Sequence, residues 1–378
     1  MRGDSIYVRF DDAMRKVVSA ERLNTTWPQL EKQMGKFVGT GEWRQMREEG
    51  VVVCFTEVWF ERAALRFLVA FDGEGRVNTL RWLHLRSEPV AFDSARLEER
   101  PLVVKSGLLQ MPGTITLPQG ESNLPVVVLL HGSGPQDRDG TLGPNKIYRD
   151  MAWGLAEEGI AVIRYDKRTR VYGNNCVPLG GKLTPEVEVV EDALSAVRLA
   201  KTLPEADTSR IFVVGHSLGA MLAPLVAFRC GSLAGIALLA PGARQLEDMA
   251  EEQLRYVASL GDEMTEEEIQ RQLQLLLSAA PKEYWEYLRR YNPVTTAAAL
   301  EIPILVMQGE RDYQVTMRDF SLWQKGLAGK SAVAFKSYPL LNHFFMKGEG
   351  KITPAEYFRP ARVDGSVIKD LSVWIKSH

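Results

Sequence analysis

Three side chains far apart in the chain have the types and spacing to cleave an acyl bond. Ser217 lies in "RIFVVGHSLGAMLAPLVAF", where no Asp, Glu, Lys or Arg occurs between Ile211 and Phe228. Gly215 stands two places before the serine and Gly219 two places after it. That G-x-S-x-G spacing predicts a nucleophile elbow, a tight turn from strand to helix that strains the serine backbone and projects its Oγ from the sheet edge. Side chains at 215 and 219 would collide with backbone in so close a turn. The following helix aims its first N–H groups at the serine, which favours negative charge there.

A serine of ordinary pKa is a weak nucleophile and needs a base. The sequence holds five histidines. His84 belongs to the N-terminal part, His131 ends an apolar strand, His216 adjoins the serine and cannot readily fold back onto it, and His378 is the last residue. His343, in "YPLLNHFF", remains as the base. Asp312, in "MQGERDYQV", follows an apolar strand and falls between serine and histidine in the chain, as a residue that orients the imidazole should. Glu310 is its rival. Asp166 precedes the serine and suits the tying of loops through Arg164, Lys167 or Arg168. Attack on a carbonyl also needs two N–H donors for the oxyanion. The backbone of Leu218 and that of Ser133, in the turn after "VVVLLHG", are the candidates.

The elements around these residues set their positions. From "LPVVVLLHGSG" onward, apolar strands alternate with helical segments, which predicts a mostly parallel, doubly wound α/β sheet. Expected helices run over 147–158, 187–202, 218–228 and 366–375. Strands are expected in "IAVIRYD", "RIFVVGHS", "LAGIALLAPG", "IPILVMQGERD" and "SAVAFKSYP". The alternation breaks over about 244–298, a charged stretch of helical period that predicts a helical lid insertion above the strand ends. In an open α/β sheet, ligands bind at that edge. Tyr284 and Trp285 in this insertion are candidate substrate-binding residues, although a helical insert must also bury an apolar face of its own. Thr265 is expected to cap a helix there. The segment from Gln136 to Lys146 either lines the substrate or holds ion pairs among Asp137, Arg138 and Asp139.

The first 95 residues have another texture. Helices over 7–18 and 27–36 are followed by the strand-like runs "GVVVCFTEVWF", "AALRFLVAFD" and "VNTLRWLHL", with a hairpin at "FDGEGRV". This predicts a small α+β domain with an antiparallel sheet, joined through a linker, "SEPVAFDSARLEERP", to a catalytic domain over 96–378.

Composition narrows the classes. Of the 378 residues, 45% are hydrophobic and 25% charged, with a net charge of -2. That gives no field for nucleic acid or an anionic membrane. Gly215, His216, Ser217, Gly219 and Pro224 interrupt the one stretch apolar enough to suggest a membrane span. The three cysteines are scattered, without a C-x-x-C pair. H-E-x-x-H and EF-hand patterns are missing, and Gln324 stands where a phosphate loop ending in "GKS" would need glycine. No metal or cofactor is therefore expected. The opening "MRGDSIYVRFDDAMRK" has no apolar run of signal-peptide length. The compartment stays open between the cytoplasm and, had a signal peptide been removed, the periplasm or exterior.

Taken together, "HGSGPQDRDG", "GPNKIYRDMA", "RYDKR", "GHSLGA", "QGERDYQV" and "NHFF" resemble the α/β-hydrolase superfamily, and within it bacterial serine esterases of the dienelactone-hydrolase-like and acyl-esterase branch. The resemblance covers roughly residues 101–378 and implies Ser217 as nucleophile, Asp312 as acid and His343 as base. Dienelactone hydrolases use cysteine as nucleophile, whereas this chain has serine. The F-x₂-A-M, W-x₂-L and "LRFLVAFDGEGRV" patterns of the first part resemble a small domain of unknown role found before some bacterial α/β-hydrolases. The expected function is hydrolysis of small to medium acyl esters through an acyl-enzyme. A thioesterase or serine peptidase would use the same three residues, and a non-catalytic binding protein would be expected to have lost one of them. A homodimer formed through the N-terminal domain is a further expectation.

Overall fold

The computed structural model describes residues 3–48, 51–61, 63–85, 93–177, 181–261 and 264–378. The chain divides into two compact units. The first comprises Met1–Pro89 with two later stretches, Leu142–Asn145 and Thr353–Ala361; the second holds the remainder.

The first unit opens with helices α1 (Gly3–Tyr7), α2 (Asp12–Val17) and α3 (Ala20–Met34). Phe10, which is fully buried, bridges to Val77 as extended backbone, so the helix expected over 7–18 is split there. Asp11 then restarts the helix by accepting the Met14 N–H, and Ser19 starts α3 by accepting that of Arg22. Strands β1 (Phe37–Thr40), β2 (Arg44–Glu48), β3 (Val51–Phe60), β4 (Ala64–Phe71) and β5 (Val77–His84) form an antiparallel sheet in the order β1-β3-β4-β5, with β2 also paired to β3. Trp27, Leu30 and Met34 of α3 cover Val58, Phe60 and Leu65. Within the same unit, the Asn145 side chain donates to the carbonyls of Tyr357 and Arg359 and accepts from Ala361. The Arg359 guanidinium lies 4.0 Å over the Trp59 ring.

The second unit contains an eight-stranded sheet. Its strands are β6 (Leu97–Ser106), β7 (Leu109–Pro118), β8 (Leu124–Leu130), then, after a short pair β9 (Thr141–Leu142) and β10 (Asn145–Lys146), β11 (Ala161–Tyr165), β12 (Ala206–His216), β13 (Gly235–Leu239), β14 (Ile304–Gly309) and β15 (Val333–Tyr338). The order is β15-β14-β13-β12-β8-β11-β7-β6. From β11 to β15 neighbours run parallel, while β6 and β7 are antiparallel. Every residue of β8 is buried. Val126 and Val128 pack on one side of the sheet and Val127 and Leu129 on the other, because successive side chains alternate. Strand β6 takes over the end of the segment expected as a linker. Its charged residues and Pro101 are compatible with an edge strand, where one row of backbone groups needs no partner. The start of that segment lies outside the described residues.

Helices α4 (Ile147–Glu157), α5 (Arg168–Tyr172), α6 (Glu191–Ala200) and α7 (Leu218–Cys230) alternate with the strands. Between β13 and β14 come α8 (Leu246–Ala258), α9 (Glu266–Ser278), α10 (Lys282–Arg290) and α11 (Pro293–Ala298). Thr265 caps α9 in a capping box with Glu268. Helices α12 (Met317–Gly326) and α13 (Gly365–Lys376) complete the unit. The helix expected to begin at 187 opens instead as a π-helical turn, Glu186–Val190, which runs into α6. Among the described residues, no helix is long and apolar enough to cross a membrane.

Candidate active site

Ser217 joins β12 to α7 with φ 55 and ψ -118, a conformation that costs a residue bearing a side chain about 1–3 kcal/mol. Its N–H donates to the Leu239 carbonyl of the neighbouring strand β13 and its own carbonyl accepts from Met221 in α7, so the sheet and the following helix hold the strain in place. The two glycines are needed sterically. A Cβ on Gly215 would lie 2.3 Å from the Gly219 carbonyl oxygen, and one on Gly219 would lie 2.6 Å from the carbonyl oxygens of Leu130 and His131. The elbow is thus pressed against the end of β8, where the turn Gly132–Ser133 begins.

Asp312 and His343 come together at the ends of β14 and β15. His343 Nδ1 lies 2.6 Å from Asp312 Oδ2, and both side chains are almost fully buried. Asp312 accepts from four donors: Gln314 N and Val315 N on Oδ1, and Gln308 Nε2 and His343 Nδ1 on Oδ2. This contact leaves His343 Nε2 as the ring nitrogen turned away from the carboxylate. Glu310, the rival, is exposed and accepts from Ser337. Asn342 shapes the histidine loop by accepting the N–H groups of Phe344 and Met346.

His216 connects serine and histidine. Its ring lies 4.7 Å from that of His343, centre to centre, and its Nε2 donates to the His343 carbonyl at 2.9 Å. A carbonyl only accepts, so neutral His216 carries its proton on Nε2. Burial first, and the His343 ring second, push this imidazole down to about 3. Burial, aided by the Lys167 charge, likewise pushes His131 down to about 4. The unfolded chain therefore takes up these two protons first as the pH falls from about 6.5. The stability contributed by these two neutral histidines is fully present well above that pH and is lost as the pH falls toward about 4, by up to about 2.7 kcal/mol per unit where the unfolded chain holds both protons and the folded one neither. Urea unfolding in half-unit steps from pH 7 to 4 is expected to show this steep decline, and a flat profile would contradict it.

The oxyanion turn is held from several sides. The Gly132 N–H donates to Tyr148 Oη, which donates to Gln136 Oε1, and Gln136 Nε2 donates to the Ser133 carbonyl. Lys167 Nζ donates to the Gly132 carbonyl. Asp166 does tie down this loop, but through Arg138, whose backbone N–H and guanidinium it accepts. Arg164, Lys167 and Arg168 pair instead with Glu99, Glu188 and Asp192. Asp137, Arg138 and Asp139 do not pair among themselves: Asp137 accepts from Thr141, and Asp139 pairs with Lys146. Leu218 begins α7, where a backbone N–H has no partner within the helix.

Tyr284 and Trp285 are buried in the core that flanks α7. The Tyr284 hydroxyl donates to Glu188 Oε2 and Trp285 Nε1 to the Leu277 carbonyl, so their polar atoms are engaged within the protein. No local spacing in the sequence marks Tyr148, Glu188, Gln308 or Asn342, and Lys167, expected to tie loops with Asp166, holds the Gly132 carbonyl and Glu188 instead.

Two family models match the chain. That of a protein of unknown function (DUF3887) covers residues 1–80, and that of the alpha/beta hydrolase fold covers residues 184–347. The chain is 38% identical over 372 residues to esterase EstD of Thermotoga maritima, spanning 95% of this chain and 88% of that protein. Esterase Pf2001 of Pyrococcus furiosus superposes with a TM-score of 0.52 at 16% identity, covering 78% of this chain and 96% of that one. A hyperthermophilic esterase from Pyrobaculum calidifontis superposes with a TM-score of 0.50 at 18% identity, covering 77% and 87%. At such identities the two structures speak for the fold, whereas the similarity to EstD extends along nearly the whole sequence. The chain belongs to the α/β-hydrolase family.

Proposed function

We propose that the protein is a serine esterase whose nucleophile is Ser217, with His343 as base and Asp312 orienting it. One observation carries this reading: a serine strained to positive φ at a glycine-flanked elbow after β12, in a sheet whose strands β14 and β15 are followed by a buried, hydrogen-bonded Asp312–His343 pair.

In the proposed cycle His343 Nε2 takes the Ser217 Oγ proton as the oxygen attacks the ester carbonyl. The N–H groups of Ser133 and Leu218 receive the oxyanion, each worth about 3–4 kcal/mol of transition-state stabilisation. The imidazolium, held by Asp312, then gives its proton to the departing alkoxide, leaving an acyl group on Ser217. Water activated by His343 attacks that acyl group, and the acid leaves. We read 1–95 as an accessory domain, 96–378 as the catalytic domain and the helices of about 244–298 as a lid that restricts the mouth to small and medium acyl chains.

A p-nitrophenyl ester series from acetate to palmitate tests this reading. We expect kcat/KM to peak at a short or medium acyl chain, and a fluorophosphonate probe to label Ser217 and stop turnover. Hydrolysis that continues after stoichiometric labelling, or labelling at another residue, would refute the assignment. A peak at palmitate would refute the size limit alone.

A further inference from the structure

The candidate oxyanion donor of Ser133 belongs to a peptide that is gripped from the opposite side. Gly132 C=O and Ser133 N–H are parts of one planar trans unit, so fixing the direction of one fixes the other, antiparallel to it. The carbonyl is held by Lys167 Nζ at 2.9 Å, and the Lys167 side chain is only 1% exposed. A buried ammonium needs a partner charge. Glu188 supplies it, with Oε1 3.1 Å from Lys167 Nζ and also accepting from Thr169 Oγ1 at 3.0 Å. Its other oxygen, Oε2, accepts from the Tyr284 hydroxyl at 2.7 Å, and Tyr284 belongs to α10 of the insertion.

The same helix is fastened at two more points. The Tyr287 hydroxyl donates to Glu186 and that of Tyr291, just past the helix end, to the Met221 carbonyl in α7. Residues 284, 287 and 291 follow the i, i+3, i+7 spacing of one helix face. Glu186 and Glu188 both lie in the π-helical turn, a rare conformation that recurs at functional sites. Burial and the Glu188 charge hold the Tyr284 phenol well above its ordinary range, so it remains a donor.

We propose that Lys167 is a positioning residue for the oxyanion turn, and that helix α10 sets its place through the buried chain Tyr284–Glu188–Lys167–Gly132. The ammonium fixes the aim of the Ser133 N–H and, by polarising the shared peptide, strengthens it as a donor toward a developing oxyanion. The insertion is therefore wired to the rate of the chemical step and not to access alone. This inference rests on the Ser217 esterase reading.

The test measures kcat and KM for a p-nitrophenyl ester and Ki for an alkyl trifluoromethyl ketone, whose serine adduct presents an oxyanion to the same donors. The variants are Tyr284→Phe, Lys167→Met and the double variant in the full chain, beside Ser217→Ala. Tyr284→Phe is expected to lower kcat about ten-fold with KM within about two-fold, and to weaken the ketone in proportion; Lys167→Met is expected to lower kcat about a hundred-fold. The double variant should fall no further than Lys167→Met, because residues in one network are not additive. Unchanged kcat and Ki in Tyr284→Phe, with Ser217→Ala inactive, would overturn the chain and leave the esterase reading standing. Hydrolysis persisting in Ser217→Ala would overturn both. Should Lys167→Met fail to fold, as judged by its melting curve, Tyr284→Phe decides alone.

Discussion

Replacing Ser217 by alanine is expected to lower kcat/KM for a p-nitrophenyl ester by on the order of 10⁴-fold or more, with the thermal midpoint essentially unchanged. The hydroxyl is the only group the substitution removes, and the turn that strains the backbone is built by the backbone bonds to Leu239 and Met221, which alanine keeps. Alanine tolerates φ 55 no better and no worse than serine, so folding gains nothing that could mask the loss. Residual turnover would come from the N–H groups and from binding alone. Activity within ten-fold of the parent would remove Ser217 from the chemistry.

The second large effect is expected at Asp312. In Asp312→Asn the amide oxygen stays on the Oδ1 side, where Gln314 N and Val315 N both donate. The amide nitrogen then faces Gln308 Nε2 and His343 Nδ1, where the carboxylate had accepted. Two N–H groups cannot share that contact, so His343 must turn its Nδ1 lone pair to the amide and carry its proton on Nε2. That is the wrong tautomer for a base toward Ser217. A fall in kcat of on the order of 10³- to 10⁴-fold is expected at pH 7.5, with little change in KM. A loss under ten-fold would show that the 2.6 Å contact is structural only.

Much of the candidate site is legible in the sequence, and the reason is local. The elbow advertises itself because Gly215, Ser217 and Gly219 break a stretch otherwise fit for burial, and each glycine proves to be pressed against backbone. Asp312 and His343 follow apolar strands in the expected order. The contacts that no local pattern announces act at long range: Lys167 reaches back to Gly132, Glu188 is met by Tyr284 from α10, and Gln308 supports Asp312 from inside β14. Aromatic residues in a helical insert suggest a substrate wall, but nothing in the sequence says that the hydroxyl of Tyr284 finds a buried carboxylate. Strand β6 was obscured by Glu98, Glu99, Arg100 and Pro101, which suit an edge and look like a linker. At Phe10 a long-range bridge to Val77 overrode a helical pattern that ran on through it.

The first unit is assembled from Met1–Pro89 together with Leu142–Asn145 and Thr353–Ala361, and Trp59 on its sheet is covered by Arg359. No single cut in the gene therefore separates it as a removable module. A truncation after residue 89 would strip two later stretches of the surfaces they rest on, so an inactive fragment would say little about what the leading residues do. Acquisition or exchange of this unit by recombination would likewise have to adjust three places in the coding sequence at once.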